Sequence, residues 1–493
     1  MALETWLVRV KTAVSHSLDA AKSAPSLHPK SAKKQKVGFL AFEVANLMSR
    51  LLRLWWSLSD SNVVRLRNEI MSLEGVRKIV SNDEGFLLGL TCAEMVENLR
   101  TAADSVQRLG ERCEDPSLLC FGRILEEFAD TGRDPNRWIQ TGKEVEVSVR
   151  RMDRFVALTT NLLREMDELA ILENSLRKAV SAKVDERNYS SSPMSSSSMT
   201  IKSISPTSTD REQRISDLHQ RIVWHKQEIK RFKERSLWNR SFDSVVLLLA
   251  RSIFTTLARI RVVFGLGHQY PCPSLQPRSP SSSAAIHPTE SQETFVAALK
   301  TEHLESKGFF KSISRLREPP ATTLGANGLS LHYANLIIVM EKMIKSPQLV
   351  GPDAREDLYA MLPSSIRSGL RARLKGVVYS ASDEALAREW RDALGRILGW
   401  LCPLAHNMIK WQSERSFEQN TNRRNGSGDM SEKTKDVFLL QTVYFANKEK
   451  TEAAITELLV GLNYVWRFER EMTIKALFEC HNIGNLLNVV NKF

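Results

Sequence analysis

The sequence predicts an all-α protein, built of long-helix bundles joined by disordered Ser/Pro-rich linkers, with no significant sheet. Three observations carry that expectation. Apolar residues recur at three- and four-residue steps through most of the chain; aromatic residues make up only 7% while Leu, Ala, Arg and Glu abound; and stretches rich in Ser, Thr and Pro interrupt the helical pattern. With 493 residues, 42% of them apolar and 26% charged, the chain can bury a real core and is long enough for roughly two to four domains.

Residues 1–36 read as an amphipathic N-terminal helix and a basic linker. Leu3, Trp6, Leu7, Val10, Val14 and Leu18 share one side of the helix, and Lys30, Lys33, Lys34 and Lys36 follow. Trp6, Leu7, Val10, Lys33, Lys34 and Lys36 are therefore candidate contacts with an anionic membrane surface, and the lysines also fit a weak nuclear address. Docking of the helix onto the folded body, with a solvated lysine linker, is the equal alternative.

Residues 37–185 form the expected N-terminal helical domain. It opens with a wide apolar face of Phe39, Phe42, Leu47, Leu51, Leu54, Trp55 and Leu58. Trp55 and Trp56 point about 100° apart on a helix, so they cannot both face one ligand and are read as packing residues. Helices are expected near residues 61–71, 74–80, 84–113 and 116–129, and one long helix over 142–182. Residues 186–210 are too polar to bury and read as a disordered linker, in which Ser192 and Ser205, each followed by Pro, are candidate phosphosites.

Residues 211–266 read as long helices that pack back on this domain. The first is expected to pair with the helix over 142–182 as an antiparallel hairpin. The second, from Phe242 to Phe264, is the most apolar run in the chain, but Arg251, Arg259 and Arg261 make it a poor membrane span. A second disordered linker is expected at 267–320, with Ser279 as a further candidate phosphosite.

The C-terminal helical domain is placed at 321–418. Leu329, Tyr333, Leu336, Ile337, Met340 and Ile344 line one face of a helix that starts after the Gly325-Ala326-Asn327-Gly328 turn and ends before Pro347. Pro352 and Asp353, with Glu356 three residues on, read as the capped start of the next. A third opens at Pro363, with Ile366, Leu370 and Leu374 on one side. Arg367, Arg371 and Lys375 line a neighbouring side, with Arg373 close by, and are the candidate partner-binding stripe for acidic protein, phosphoinositide or phosphate. The plainer reading is a solvated face whose cations suit the helix C-terminus. Gly369 within this helix is expected to mark close approach of another backbone. A break or kink is expected at Cys402-Pro403, a flexible loop at 419–430, and C-terminal helices over 431–493, the first at about 432–470 and a short last one at 477–490.

Two blocks carry a family resemblance. The run from Thr323 through Gly325-Ala326-Asn327-Gly328-Leu329-Ser330-Leu331-His332-Tyr333 to Ile338, continued by Gly351-Pro352-Asp353-Ala354-Arg355, Met361-Leu362-Pro363 and Leu370-Arg371-Ala372-Arg373-Leu374, resembles the C-terminal domain of unknown function of the plant PSK-simulator family. Gly38-Phe39-Leu40-Ala41-Phe42-Glu43-Val44-Ala45-Asn46, with Leu73-Glu74-Gly75-Val76, is similar to that family's N-terminal domain. The resemblance implies a growth-promoting role linked to phytosulfokine peptide-hormone signalling, at the plasma membrane and in the nucleus. Better-known members begin Met-Gly and look N-myristoylated; this chain begins Met1-Ala2-Leu3, so an acyl anchor is not expected.

The chemistry readable from the residues is sparse. Cys92, Cys113, Cys120, Cys272, Cys402 and Cys480 form no C-x-x-C pair, which argues against a zinc module or a secreted disulfide framework and points to a reducing, intracellular setting. No signal peptide, Walker loop, kinase signature or nucleophile elbow is present. Gly265-Leu266-Gly267 lacks a third glycine, and His219 and His225 are not at metal spacing on one helix. His332 is read as a structural histidine. No catalytic residue, cofactor or metal is therefore expected. The leading expectation is a non-enzymatic regulatory or scaffold protein acting through protein contacts, with peripheral membrane contact; the alternative is a helical tether or trafficking factor at an anionic membrane. The net charge of +12 fits acidic partners, but no nucleic-acid module is recognisable.

Overall fold

The computed structural model describes residues 35–189, 208–266, 308–346, 350–375, 383–420 and 437–490, and the side chains of most of them. Val37–Phe493 make one compact unit. Among the described residues there is no β-strand; an isolated antiparallel bridge joins Thr323 and Asn447. The all-α expectation holds. Phosphosite candidates Ser192, Ser205 and Ser279, and the loop 421–430, lie outside the described residues.

The N-terminal part begins with α1 (Ala41–Ser57), the short α2 (Asp60–Arg65), and two π-helical turns, Leu66–Ile70 and Val76–Val80. α3 (Glu84–Gly110) follows. Asp83 caps it by accepting from Gly85 N at 2.8 Å and Phe86 N at 3.3 Å, which satisfies two otherwise orphaned amides. α4 (Pro116–Leu119) is capped by Asp115 with Pro116 in its first turn, and α5 (Phe121–Thr131) ends at Gly132 in the left-handed conformation. On α1 the adjacent tryptophans separate as the helical twist requires: Trp55 is half-buried and Trp56 exposed.

The long helices α6 (Gly142–Tyr189) and α7 (Ser208–Arg235) pair as the expected hairpin. Partners descend along α7 as they ascend along α6, from Thr159 with Leu237 to Glu165 with His225, so the pair is antiparallel. α8 (Phe242–Val263) lies at the centre of the N-terminal part, against α3. Its three arginines each reach another element: Arg251 pairs with Glu144 at 3.5 Å; Arg259 bonds Leu58 O at 3.2 Å and Asp60; Arg261 donates to Phe128 O at 3.1 Å and to Ala129 O at the end of α5. Burial pulls the Arg261 pKa down from the ordinary arginine value, with nearby Asp130 opposing.

The C-terminal part starts earlier than the second linker was drawn: residues 309–316 form α9 (Phe309–Leu316), whose Phe309 and Ile313 are buried and whose first amide donates to Asp130 Oδ1 at 2.7 Å. α10 (Ser330–Lys345), α11 (Pro352–Met361), α12 (Ser364–Leu374), α13 (Glu384–Asn420) and α14 (Lys448–Val490) complete the chain. Five expectations change. Asp353 makes no cap bond, because Pro352 already occupies the first turn and Gly351 the cap. Pro403 lies inside α13, which continues through it without a break. Residues 437–447 hold only a 3₁₀ turn at Leu439–Gln441, although Leu440 and Val443 are fully buried, and the last helix runs on through 477 without a break. Gly369 faces the Thr456 side chain at 3.6 Å, an ordinary contact and not a backbone approach.

The two parts share one apolar core running from Val37 to Val465. Asn447 N donates to Ile79 O at 2.7 Å, and Glu94 of α3 accepts from Leu439 N at 2.7 Å and from Trp411 Nε1 at 3.4 Å. Gly75 sits against the backbone carbonyl of Trp400 and the side chain of Leu404 on α13, where no Cβ fits. Gly75→Ala is therefore expected to lower the unfolding free energy by about 1–3 kcal/mol through overpacking. Gly369→Ala should leave it unchanged or raise it by up to about 1 kcal/mol through helix propensity. Thermal or urea unfolding of the two variants separates these outcomes, and equal behaviour would contradict the packing described.

Candidate functional site

The candidate stripe sits on α12, which the buried Leu362 and Ile366 press against the body. α10 holds the preceding helix in place: His332 Nε2 donates to Met361 O at 3.0 Å, so the histidine ties α10 to the end of α11. Beside it Tyr333 is fully buried and donates to Glu452 Oε1 at 2.6 Å; the same oxygen accepts from Ser365 Oγ at 2.8 Å. Burial first, and then the hydrogen bond to Glu452, push the Tyr333 phenol pKa upward, so it stays protonated.

On this support the stripe divides. Arg367 stacks 5.9 Å from the Tyr359 ring centre, and Arg371 donates to Tyr359 Oη at 2.8 Å. Neither makes an ion pair among the described residues. Arg373, by contrast, pairs with Glu457 of α14. Lys375 is exposed at the C-cap of α12, its amide bonded to Arg371 O at 3.1 Å. The sequence-predicted residues thus yield two guanidinium groups gathered around one tyrosine, with their forks free of carboxylates. Such forks suit bidentate binding of a carboxylate or phosphate.

A second feature had no forecast. α10, α13 and α14 enclose an open cleft of about 530 Å³, walled by Ile344, Leu394, Leu398, Leu462 and Val465. Gly395, Gly399 and Pro403, at four-residue steps on α13, leave space on its floor; nothing lies within 4 Å of a Cβ built at either glycine. That spacing was the available signal. At the rim Glu341 accepts from Lys345 Nζ at 2.7 Å and from His406 Nε2 at 2.6 Å, and Arg391 pairs with Glu469 at 3.2 Å.

These rim groups hold ordinary charge states. Burial alone would raise the Glu341 pKa, but the hydrogen bonds from Lys345 and His406 outweigh it and the net shift is downward. The bond to Glu341 raises Lys345, and burial followed by the Glu341 charge pushes the Cys402 thiol to about 12. At neutral pH the carboxylate is ionised, the amine charged and the thiol protonated. Cys113 is also pushed to about 12, by burial and then Asp243, and burial drives Cys92 up as well, so these thiols are poor nucleophiles.

Of the membrane-contact candidates, Trp6, Leu7, Val10, Lys33 and Lys34 lie outside the described residues; Lys36 is exposed. No helix among the described residues is long and apolar enough to cross a membrane.

The described residues are all-helical, and two stretches of the chain match domains of unknown function. The family described as "Domain of unknown function (DUF3475)" matches residues 39–95, and that described as "Protein of unknown function (DUF668)" matches residues 323–410. The chain is, more particularly, a relative of the PSK SIMULATOR proteins of Arabidopsis thaliana. It is 25% identical to PSK SIMULATOR 1 over 443 residues, covering 88% of this chain and 56% of that protein. For PSK SIMULATOR 3 the figures are 26% over 439 residues, 88% and 56%, and for PSK SIMULATOR 2 they are 23% over 448 residues, 90% and 61%. The chain therefore spans little more than half the length of these relatives. No solved structure matches.

The Glu341 cluster sets a pH dependence. Because folding lowers its pKa, the unfolded chain holds the proton more tightly, and the stabilisation is present above the ordinary value of 4.5 and lost as pH falls through the folded value. Glu341→Gln should lower the thermal midpoint at neutral pH, and the gap from the unsubstituted protein should narrow as pH falls below the ordinary carboxylate value of 4.5. A gap independent of pH would show that the carboxylate charge contributes nothing.

Proposed function

We propose that this chain is a non-enzymatic regulatory protein of plant phytosulfokine-type signalling that promotes growth by binding other proteins. The observation that carries this reading is the similarity to three PSK SIMULATOR proteins over 88–90% of the chain, which covers both matched domains and the helices between them. The geometry supports the binding half of the reading. Arg367 and Arg371, braced by Tyr359 and unneutralised among the described residues, form a surface for an acidic or phosphorylated segment of a partner.

Peripheral contact with an anionic membrane, at the plasma membrane, is the second component, with the nucleus as a further address. It rests on the apolar side of residues 1–20, the following lysines and the net charge of +12. A tethering role at such a membrane is the alternative that this component favours.

Expression in Arabidopsis thaliana lacking the PSK SIMULATOR proteins tests the central reading. Seedling growth is expected to recover with the unsubstituted chain and to fail with the Arg367→Glu, Arg371→Glu double variant, whose thermal midpoint is measured beside it to show that it is folded, because Arg371 is exposed but Arg367 is half-buried against Tyr359. No recovery with the unsubstituted chain would reject the signalling role; full recovery with the double variant would reject the stripe. Sedimentation with anionic liposomes should fall when Trp6, Leu7 and Val10 are made polar, and unaltered sedimentation would remove the membrane component.

A further inference from the structure

We propose that the seam of the α6–α7 hairpin holds a divalent-cation site of the zinc class, formed by Glu165, Glu168 and His225. Along α7 the residues Ile215, Leu218, Ile222, His225, Ile229 and Phe232 alternate at three- and four-residue steps, the spacing of a coiled-coil seam. Only the fourth is not apolar. His225 is 6% exposed, and opposite it on α6 Glu165 is 7% exposed, between layers marked by the buried Leu162 and Leu172.

Burying an imidazole and a carboxylate at a position made for Leu or Ile costs desolvation that a single pair seldom repays. One explanation is that a polar layer fixes the register of the hairpin. The third group goes beyond that. Glu165 Oε2 lies 2.9 Å from His225 Nδ1, which donates to it, so in the neutral ring the lone pair of Nε2 is directed away from Glu165. What faces Nε2 is another carboxylate oxygen, Glu168 Oε2, at 3.9 Å. A lone pair and an anion facing each other repel unless a positive species sits between them. At 3.9 Å the gap is too long for an N–H···O bond. It is close to the spacing of two ligands across one ion, since ligands at about 2.0–2.2 Å from zinc lie roughly 3.3 Å apart in a tetrahedron.

The three donor atoms all fall within 4.8 Å of one another. Glu168 is 48% exposed at its side chain, so it can swing inward and gives the ion an entrance. His225 Nε2 and Glu168 would ligate directly. Glu165 would fix the tautomer and ring plane through Nδ1, the arrangement in which a carboxylate supports a metal-bound histidine. Water would fill the remaining positions. A nitrogen donor beside few oxygens favours zinc over calcium or magnesium, which seek six or more oxygen ligands. Two carboxylates match the double charge, and Arg164 neutralises Glu165 only in part, from 3.9 Å.

The test uses the full chain, stripped with a chelator and titrated with Zn²⁺ by calorimetry and by thermal unfolding. One Zn²⁺ per chain and a rise in the midpoint are expected. Glu168→Gln, at a half-exposed position, should keep the fold and weaken binding by roughly tenfold or more. His225→Gln should abolish binding, and His219→Ala, at an exposed residue one and a half turns away, should leave it intact. Absence of Zn²⁺ binding overturns the proposal, as does equal binding by the Glu168→Gln and unsubstituted chains. A midpoint that responds to protonation of His225 but not to Zn²⁺ also overturns it, in favour of a buried imidazolium.

Discussion

The contact on which the structure depends is the one between the two π-helical turns with α3 and the segment of α13 with residues 437–447. There Gly75 admits the Trp400 carbonyl, Ile79 O receives the Asn447 amide, and Glu94 binds both Leu439 N and Trp411. Each of these polar groups would cost free energy if buried without its partner. Positions 75–94 lie in the stretch matched to DUF3475, and Trp400 and Leu404 lie in the stretch matched to DUF668. The two matched stretches are thus physically adjoining parts of one core.

The same logic governs α8. Its apolar residues fill the centre, and its arginines are not incidental interruptions. They terminate other helices: Arg261 satisfies carbonyls at the end of α5, and Arg259 binds the carbonyl that follows α1. A helix this apolar needs anchors that fix its rotation, and cations bonded to orphaned helix-end carbonyls supply them. The residues that argued against a membrane span therefore also specify how the helix sits.

Helical class, the long α6–α7 hairpin and the α10–α12 succession were legible because period and punctuation agreed: Asn327-Gly328 before α10, Pro363 before α12. The apolar residues of 437–447 misled for the opposite reason. Val437, Leu440, Val443 and Tyr444 have helical spacing, yet they lie on an irregular segment that buries Leu440 and Val443 and whose amides and carbonyls bond to residues 322–325 and Ile79. Periodicity reports burial on one side, not the conformation that achieves it. Likewise Pro403 reads as a stop when taken alone, yet α13 continues through it. Of the candidate site, the sequence supplied the α12 cations but not their division. That Arg373 meets Glu457 while Arg367 and Arg371 share Tyr359 depends on where α14 and α11 lie, which no local pattern encodes. The His225 layer was visible as a polar interruption of a three-four repeat, but its carboxylate partners come from a helix sixty residues away.

Gly395, Gly399 and Pro403 make α13 intrinsically poor. Each glycine costs about 1 kcal/mol and the proline about 3 kcal/mol relative to Ala in a helix interior. Ordinary packing would offset such costs by filling the vacated space, as Trp390 does against Gly461. On the cleft side of α13 the space stays open, so the helix is held by its other faces, through Leu401, Leu404 and Ala405, which are buried. The cations at the rim are already paired with Glu341 and Glu469, so the cleft offers shape and apolar area, not an unbalanced charge. The α12 stripe offers the reverse: charge without a concavity. The cations without carboxylate partners among the described residues and the open apolar cleft therefore lie on different faces of one region, and both are held in place by the packing of α14 against α12 and α13.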